Sequence, residues 1–168
     1  GSALTKSFLA AGAHLSYICD VDERAIAKAA AIVGDQQQIK PQGVSDFRKI
    51  LDDKSVDILI CAAPNHWHAP ATILGCAAGK HVYVEKPCSH NPREGELAIE
   101  AARKNDRVVT MGSQRRSWPG IVEAIQKIKA GEIGKVHYAR AWYNNKRPNI
   151  KHGQPAEVPT WLNWSLWQ

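Results

Sequence analysis

A short charged motif follows an apolar run in the middle of the chain, in the sequence AGKHVYVEKP. Residues 82–84 are of types typical of a buried strand, and Glu85 and Lys86 then place two charges at its carboxyl end. An ion pair between these two residues is disfavoured, because adjacent residues on a strand point to opposite faces. A lysine beside an apolar strand can have its proton affinity tuned, so Lys86 is a candidate for exchanging a proton with a substrate hydroxyl or carbonyl. The Lys86–Pro87 peptide bond is a candidate for the cis form.

An aspartate follows the apolar segment LSYIC, in the motif CDVDER. At the carboxyl end of the second strand of a dinucleotide-binding unit, an aspartate accepts hydrogen bonds from the adenosine ribose hydroxyls and disfavours a 2′-phosphate. Asp20 fits that position and favours NAD over NADP. The alternative is that Asp20 or Asp22 only caps the next helix, and Asp22 is the better placed cap of the two.

A third motif, AAPNHWHAP, follows the apolar segment at residues 56–63. Small residues let a nucleotide approach the backbone at a strand end. Asn65 and His68 offer polar contacts just before a helix N-terminus, which attracts phosphate. His66 and His68 also form an HxH pair, but no nearby carboxylate or cysteine completes a ligand set, so we predict no metal site.

A fourth motif, MGSQRRSW, follows the last apolar strand of the first half of the chain. Its residues are expected at the carboxyl edge of the sheet, where open α/β sheets bind ligands. Arg115 or Arg116 is a candidate for holding the cofactor or an anionic or hydroxylated substrate. A salt bridge at a domain junction is an equally good explanation for either arginine.

Strand and helix patterns alternate along the chain, which predicts a parallel sheet covered on both faces. We expect strands at 15–20, 56–63, 81–85 and 107–112, with the second of these buried on both sides. The expected helices are one around Leu4 and Phe8 ended by Gly12, one at 23–33 capped by Asp22, a short one around Phe47, one at 69–78, and one capped by Asn91 that runs to Lys104.

The pattern changes after residue 117. A helix in WPGIVEAIQKIKAG is followed by an alternating strand pattern at 136–143, VHYARAWY, and then by a segment rich in proline and tryptophan. We therefore predict two domains, residues 1–117 as a dinucleotide-binding domain and residues 118–168 as the beginning of a second domain.

The formal charge of +6 favours anionic partners, but the basic residues are spread along the chain and are best explained as solvated surface. Binding of nucleic acid would depend on this charge alone, and we expect none. The four cysteines form no CxxC pair and resemble small buried thiols in a reducing compartment. No apolar stretch is long enough to cross a bilayer, so we expect no membrane partner.

Together these segments resemble the Gfo/Idh/MocA family of oxidoreductases, which includes glucose-fructose oxidoreductase and inositol dehydrogenase. The most specific likeness is AGKHVYVEKP, and CDVD, VDILICAAPNHWH, GSQRR and the closing VPTWLNWSLWQ extend it over essentially the whole chain. The resemblance implies a Rossmann-like, doubly wound parallel sheet that leads into a second α/β domain with an open sheet. That second domain commonly makes the oligomer interface, so the resemblance also implies a homo-oligomer.

The resemblance further implies roles for individual residues. Lys86 takes the catalytic role, beside the nicotinamide and the reacting carbon. The residues implied in cofactor binding are Asp20, Ala63, Pro64, Asn65, His68, Glu85, Pro87 and Gln114, and those implied in substrate binding are Arg115, Arg116 and Tyr143.

Members of this family begin with a strand and a glycine-rich turn, whereas here Gly1 and Ser2 lead directly into a helix. In the strand order 3-2-1-4-5-6 that first strand is central. We therefore expect the chain to be part of a longer protein, with a gap between the strand at 15–20 and the strand at 56–63. The later aspartate and histidine that usually accompany the lysine would also fall beyond Gln168.

The leading functional hypothesis is an NAD-dependent oxidoreductase that acts on a sugar, cyclitol or related polyol. A second hypothesis is an NAD-using glycosidase or lyase in which the hydride returns to the substrate, so that net NADH production separates the two. A third is a non-catalytic binding or assembly module. We expect a cytoplasmic protein, or a periplasmic one if a secretion signal precedes Gly1.

Overall fold

The computed structural model describes residues 1–144, 148–149 and 152–168. The chain forms two compact units. The first contains residues 1–112 together with 158–168, and the second contains residues 113–157. None of the described helices is long and apolar enough to span a bilayer.

Helices and parallel strands alternate through the first unit, as the hydrophobic pattern predicts. Its elements in chain order are α1 (Ser2–Ala10), β1 (Tyr17–Cys19), α2 (Glu23–Val33), β2 (Gln42–Val44), α3 (Arg48–Asp52), β3 (Ile58–Cys61), α4 (His68–Ala77), β4 (His81–Glu85), α5 (Pro92–Lys104), β5 (Val109–Gly112) and α7 (Trp164–Trp167). The second unit contains α6 (Pro119–Lys129).

The helix boundaries follow from side chains that satisfy free backbone groups. Asp22 caps α2 by accepting the N–H of Arg24, and Gly34 ends that helix with a φ of 46°. Asn91 caps α5 by accepting the N–H of Glu94 at 3.0 Å, and the Glu94 carboxylate accepts the N–H of His90 at 2.7 Å. This arrangement is similar to a capping box, with the Glu94 carboxylate accepting from the residue just before the cap, and the predicted start of α5 is confirmed.

The five strands form two separate parallel sheets among the described residues. β1 pairs with β2, and the strands of the second sheet stand in the order β3-β4-β5. The strand β2, at Gln42–Val44, was missed by the sequence analysis, because a three-residue segment with a central glycine carries no alternating pattern. It is a strand because its backbone pairs with β1 and because Gly43 lets Ile26 of α2 pack directly on it.

The main core lies between the three-stranded sheet and the helices α4 and α5. Val82 and Val84 of β4 are 2% and 0% exposed, and Leu59 of β3 is 6% exposed. Gly75 of α4 contacts this layer so closely that a Cβ atom there would lie 3.0 Å from Val82 Cγ2 and 3.2 Å from Leu59 Cδ2. The close approach of α4 holds β3 and β4 in place, and their carboxyl ends carry the candidate site.

A cavity of about 790 Å³ separates β1 from β3, and we call it the slot. Its walls include Tyr17–Cys19 of β1, Ile58–Cys61 of β3 and the α1 side chains Leu4 and Phe8. Ile58 is 48% exposed, so the expectation that this strand is buried on both sides is wrong. The physical reason is that no strand among the described residues pairs with β1 or β3 on the slot side.

The second unit consists of a 3-10 turn at Gln114–Ser117, the helix α6 and extended chain. Gly131 follows α6 with a φ of 85°, which agrees with the predicted end of that helix. Residues 136–143 are exposed and form no strand, which contradicts the prediction for VHYARAWY. Alternating apolar and polar residues indicate that a segment could pack as a strand with one face toward a core. The strand forms only when a neighbouring strand supplies its hydrogen bonds.

Candidate functional site

Lys86 lies at the carboxyl edge of the three-stranded sheet, one residue beyond the end of β4. Its backbone N–H donates to Glu85 Oε2 at 3.2 Å, and its exposed ammonium has no hydrogen bond or ion pair to any other described residue. The Lys86–Pro87 peptide bond is cis, as the sequence analysis predicted. Lys86 therefore presents an unpaired ammonium at the edge where parallel α/β sheets bind ligands.

Glu85 is the last residue of β4 and is half-buried, with Gly112 of β5 as its partner across the sheet. A Cβ atom on Gly112 would lie 3.0 Å from Glu85 Oε1 and 2.8 Å from the hydroxyl oxygen of Tyr83. Glycine at position 112 thus leaves room for the Glu85 carboxylate beside Lys86. The predicted contact of Glu85 with a cofactor stays a prediction.

The loop after β3 carries predicted cofactor-binding residues of the AAPNHWHAP motif. Ala63, Pro64 and Asn65 are exposed, and Asn65 begins a 3-10 turn that leads into α4. This loop lies at the carboxyl end of β3, next in the sheet to β4, which is where the motif analysis placed it. These three residues are accessible to a ligand.

His68 differs from the other predicted cofactor-binding residues that follow β3, because its side chain is only 1% exposed. Its Nδ1 contacts the carbonyl oxygen of Pro87 and its Nε2 contacts that of Ala63, the latter at 2.8 Å. His66, two residues earlier, instead contacts the carbonyl oxygen of Trp167 at 2.8 Å. The two histidines do not converge, and the described residues contain no group of three His, Cys, Asp or Glu side chains that could hold a metal.

Asp20 follows β1 directly and is half-buried. Its Oδ1 accepts the N–H of Asp22 at 3.0 Å, and its Oδ2 has no hydrogen-bond partner among the described residues. Asp22 is the residue that caps α2, so the helix needs no cap from Asp20. The Asp20 carboxylate also helps to raise the pKa of the neighbouring Cys19 thiol to about 12, although burial of the thiol is the larger cause.

Asp20 lines a second cavity, of about 330 Å³, whose opposite wall is the end of the chain. We call residues 158–168 the strap. Asn163 of the strap donates its N–H to the carbonyl oxygen of Val21 at 3.0 Å, and the Arg24 guanidinium lies 3.3 Å from the centre of the Trp161 ring. The Trp167 carbonyl accepts the indole N–H of Trp67 at 3.1 Å. The strap therefore joins the loops that follow β1 and β3.

The strap is part of the site that was not predicted from the sequence. Its one signal was the group of tryptophans near the end of the chain, which could equally indicate core or interface. Tryptophan supplies a large apolar surface, and the strap uses it in the stacking of Trp164 on Trp167, whose ring centres are 4.9 Å apart. Which loops these rings contact depends on tertiary structure and has no local sequence signature.

The remaining predicted residues belong to the second unit. Gln114, Arg115 and Arg116 lie in its 3-10 turn, where the Arg115 guanidinium is 5.3 Å from the centre of the Trp118 ring. Tyr143 is 71% exposed. The proposed substrate and cofactor contacts of these four residues stay predictions.

Comparisons with known proteins agree with this fold. A sequence model of an oxidoreductase family with an NAD-binding Rossmann fold matches residues 2–113. The chain is 31% identical to the inositol 2-dehydrogenase of Salmonella typhimurium over 125 residues, 74% of this chain and 36% of that protein. It is 25% identical to a glycosyl hydrolase family 109 protein of Shewanella sp. (strain W3-18-1) over 136 residues, 79% of this chain and 30% of that protein.

A solved structure of the WlbA dehydrogenase from Chromobacterium violaceum, in complex with NADH and UDP-GlcNAcA, has a TM-score of 0.69 to this chain. The two are 22% identical, and the similarity covers 79% of this chain and 37% of that one. The predicted Rossmann-like α/β class is confirmed. The chain spans about a third of the length of the relatives that it matches.

Proposed function

Because the chain belongs to the Gfo/Idh/MocA family of NAD-binding oxidoreductases, we propose that the whole protein oxidises or reduces a sugar, cyclitol or related polyol. The observation that carries this proposal is the position of Lys86 at the carboxyl end of β4, beside the exposed loop that follows β3, with an ammonium that no described residue pairs. The inositol 2-dehydrogenase among the relatives supports the class of substrate.

The residues present fit a dinucleotide. Asp20 has one carboxylate oxygen without a hydrogen-bond partner among the described residues, and it faces a cavity large enough for part of such a ligand. Asp20 would accept hydrogen bonds from the adenosine ribose hydroxyls, and its negative charge would repel a 2′-phosphate. The exposed backbone of Ala63 and Pro64 would line the path toward Lys86. We therefore expect NAD to be preferred over NADP.

The role proposed for Lys86 is to hold and move one proton. When bound, NAD supplies a nicotinamide ring that exchanges a hydride with the substrate carbon. In the oxidation direction the substrate hydroxyl must lose its proton as its carbon loses the hydride, and we propose that the Lys86 side chain accepts that proton after first giving up one of its own to become a neutral amine. In the reverse direction the Lys86 ammonium returns it to the forming hydroxyl. Arg115, Arg116 and Tyr143 are proposed to bind the substrate.

We further propose that an additional strand of the whole protein fills the slot. The backbone edges of β1 and β3 border the slot, and neither is paired there by a described residue. Unpaired backbone groups in a mostly apolar cavity are costly, and a strand between these edges would satisfy both of them.

The test of function uses the whole protein with NAD and a panel of polyols that includes myo-inositol, scyllo-inositol and glucose. Formation of NADH with one member of the panel is the expected result. Replacing Lys86 with alanine should lower kcat by about 10²- to 10⁴-fold, the usual contribution of a positioned acid or base, while the Kd for NADH stays within about threefold. Unchanged turnover in this variant would show that Lys86 is not the proton-transfer group.

The glycosyl hydrolase family 109 relative supports a second candidate, an NAD-using glycosidase. In that reaction the hydride would return to the substrate, so that glycosidic bonds are cleaved without net NADH. Incubating the protein with aryl glycosides and a catalytic amount of NAD separates the candidates. Release of many equivalents of phenol per NAD, without NADH accumulation, would favour the glycosidase.

A further inference from the structure

His68 is a titratable side chain buried at the junction of two loops of the candidate site. It is the first residue of α4 and is one of the largest fully buried side chains among the described residues. Burying an imidazole removes its hydrogen bonds to water, and this is costly unless protein groups replace them. The identity of those groups therefore indicates what the ring does.

Both ring nitrogens contact backbone carbonyl oxygens, and the two oxygens belong to different loops. Nδ1 lies 2.5 Å from the carbonyl oxygen of Pro87, and Nε2 lies 2.8 Å from that of Ala63. Carbonyl oxygens only accept, so any hydrogen bond between the ring and either oxygen must be donated by a ring N–H. A ring with one N–H can donate to one of them, and a ring with two N–H groups can donate to both. In either form the ring lies between the loop after β3 and the turn after β4.

We infer that His68 is a positioning residue for Lys86, an inference that rests on the proton-transfer role proposed for that lysine. Pro87 follows Lys86 directly, so a donor that holds the Pro87 carbonyl fixes the backbone on the carboxyl side of the lysine. The second contact holds the same ring against Ala63, a residue of the exposed loop that follows β3. His68 thus sets the distance between the wall of the proposed cofactor site and the lysine that moves the proton.

The size of the expected effect follows from the geometry of proton transfer. A displacement of about 1 Å in a catalytic group can cost about 10²-fold in rate, even when its cause lies away from the chemistry. Loss of the His68 donor would release the Pro87 carbonyl without removing Lys86 or Asp20. We therefore expect a fall in kcat, with the Kd for NADH and the KM for substrate almost unchanged.

The test combines two variants of His68 with the lysine variant in the whole protein. His68→Leu removes both donors at similar volume and should lower kcat by about 10- to 100-fold. His68→Gln keeps an amide N–H and should recover at least part of that loss. His66→Leu is the matched control, since His66 lies in the turn just before α4 but contacts Trp167 and not Pro87, and it should leave kcat within about threefold.

A double-mutant cycle distinguishes positioning from general support of the fold. If His68 acts through Lys86, then His68→Leu should change kcat by less than about threefold once Lys86 is alanine. Multiplicative losses in the double variant would overturn the inference. A Lys86→Ala variant that keeps full turnover would instead overturn the proposed function, so the two failures are distinguishable.

A spectroscopic measurement tests the contacts independently of activity and of whether His68→Leu folds. The whole protein is labelled with ¹⁵N-histidine, and the His68 ring signals are assigned by their loss in His68→Gln. A ring N–H that exchanges slowly with solvent is expected, because a buried donor bonded to a carbonyl is protected. Rapid exchange of both ring positions would show that the contacts with Pro87 and Ala63 do not exist, and it would overturn the inference.

Discussion

The hydroxyl of Tyr17 donates to Asp53 Oδ2 at 2.8 Å, and this bond joins the first residue of β1 to the residue that ends α3. Asp53 makes two further kinds of contact. Its Oδ1 accepts the N–H and the hydroxyl of Ser55, at 2.9 and 2.7 Å, and its carbonyl oxygen accepts the ammonium of the buried Lys80. Asp53 therefore links the two-stranded sheet to the three-stranded sheet at their amino ends, whereas Lys86 lies beyond the carboxyl end of β4.

The pH dependence of stability should report on this link. Hydrogen bonds from Ser55, and then from Tyr17, lower the pKa of the Asp53 carboxyl, and the bond to Asp53 raises the pKa of the Tyr17 phenol. A carboxyl with a lowered pKa stabilises the fold above its unfolded value of about 4, and this stabilisation is lost as pH falls through the folded pKa. A phenol with a raised pKa stabilises the fold below about 10, and this is lost as pH rises through the folded pKa.

Tyr17→Phe should consequently lower the urea midpoint most between about pH 5 and pH 9, with a smaller difference from wild type at either extreme. Urea unfolding measured at several pH values checks this. Tyr138→Phe is a suitable control, because that tyrosine is 78% exposed and its loss should leave the profile unchanged. A constant difference between Tyr17→Phe and wild type at every pH would contradict the assignment.

Gly75→Ala should destabilise the first unit by about 1–3 kcal/mol, the usual cost of overpacking a core. The added methyl would meet Val82 Cγ2 at 3.0 Å, and Val82 is itself only 2% exposed and has no space to move into. Thermal or urea unfolding measures the change. Gly95→Ala is the matched helical control, since its nearest neighbour is the movable hydroxyl of Ser89 at 3.2 Å. We expect that variant to be as stable as wild type or more stable.

The four cysteines should differ strongly in reactivity. Burial raises the pKa of Cys61 and Cys76, and it raises that of Cys19 to about 12, so these thiols are almost entirely protonated at pH 8. Cys88 is exposed and should be the first residue that iodoacetamide labels in the native chain. Peptide mass spectrometry after brief labelling gives the order. Labelling of Cys19 before Cys88 would contradict the partial burial of the Cys19 thiol.

The helices were the most predictable part of the fold, because their ends are set by side chains within a few residues. The side chains of Asp22 and Asn91 accept free backbone N–H groups at the starts of α2 and α5. Glycines with positive φ follow the ends of α2 and α4. The bounds of α2 and α5 match those predicted from the sequence. The prediction of a strand at 136–143 was wrong because a strand, unlike a helix end, is not determined by nearby residues. A strand is stabilised by partners distant in sequence, which an alternating pattern cannot identify.

The site was predictable as a set of positions but not as a set of contacts. The motif residues Asp20, Asn65 and Lys86 lie at strand ends, as the parallel pattern requires. The sequence could not show that His68 turns inward to two carbonyl oxygens while Asn65 stays exposed. It also gave no sign that the strap returns to the loop after β1, because that contact depends on how the intervening chain is folded.

The selectivity between NAD and NADP should depend on Asp20. Asp20→Ser would remove a carboxylate that lines the cavity, and with it both the hydrogen bonds to the ribose and the repulsion of a 2′-phosphate. The Kd for NADH should therefore rise by about tenfold or more, and the ratio of the Kd for NADPH to the Kd for NADH should fall. Energy transfer from tryptophan to the reduced nicotinamide measures both constants in the whole protein.

Asp22→Ser is the control that separates ligand recognition from helix capping. Serine is also a good N-cap, so this variant should keep α2, although it loses the paired contacts of Asp22 with Arg24. Because Asp22 already serves as the cap and as the partner of Arg24, its replacement should leave the ratio of the two Kd values unchanged. Equal shifts in that ratio for both variants would mean that the negative charge of the whole loop sets the preference, rather than the Asp20 carboxylate itself.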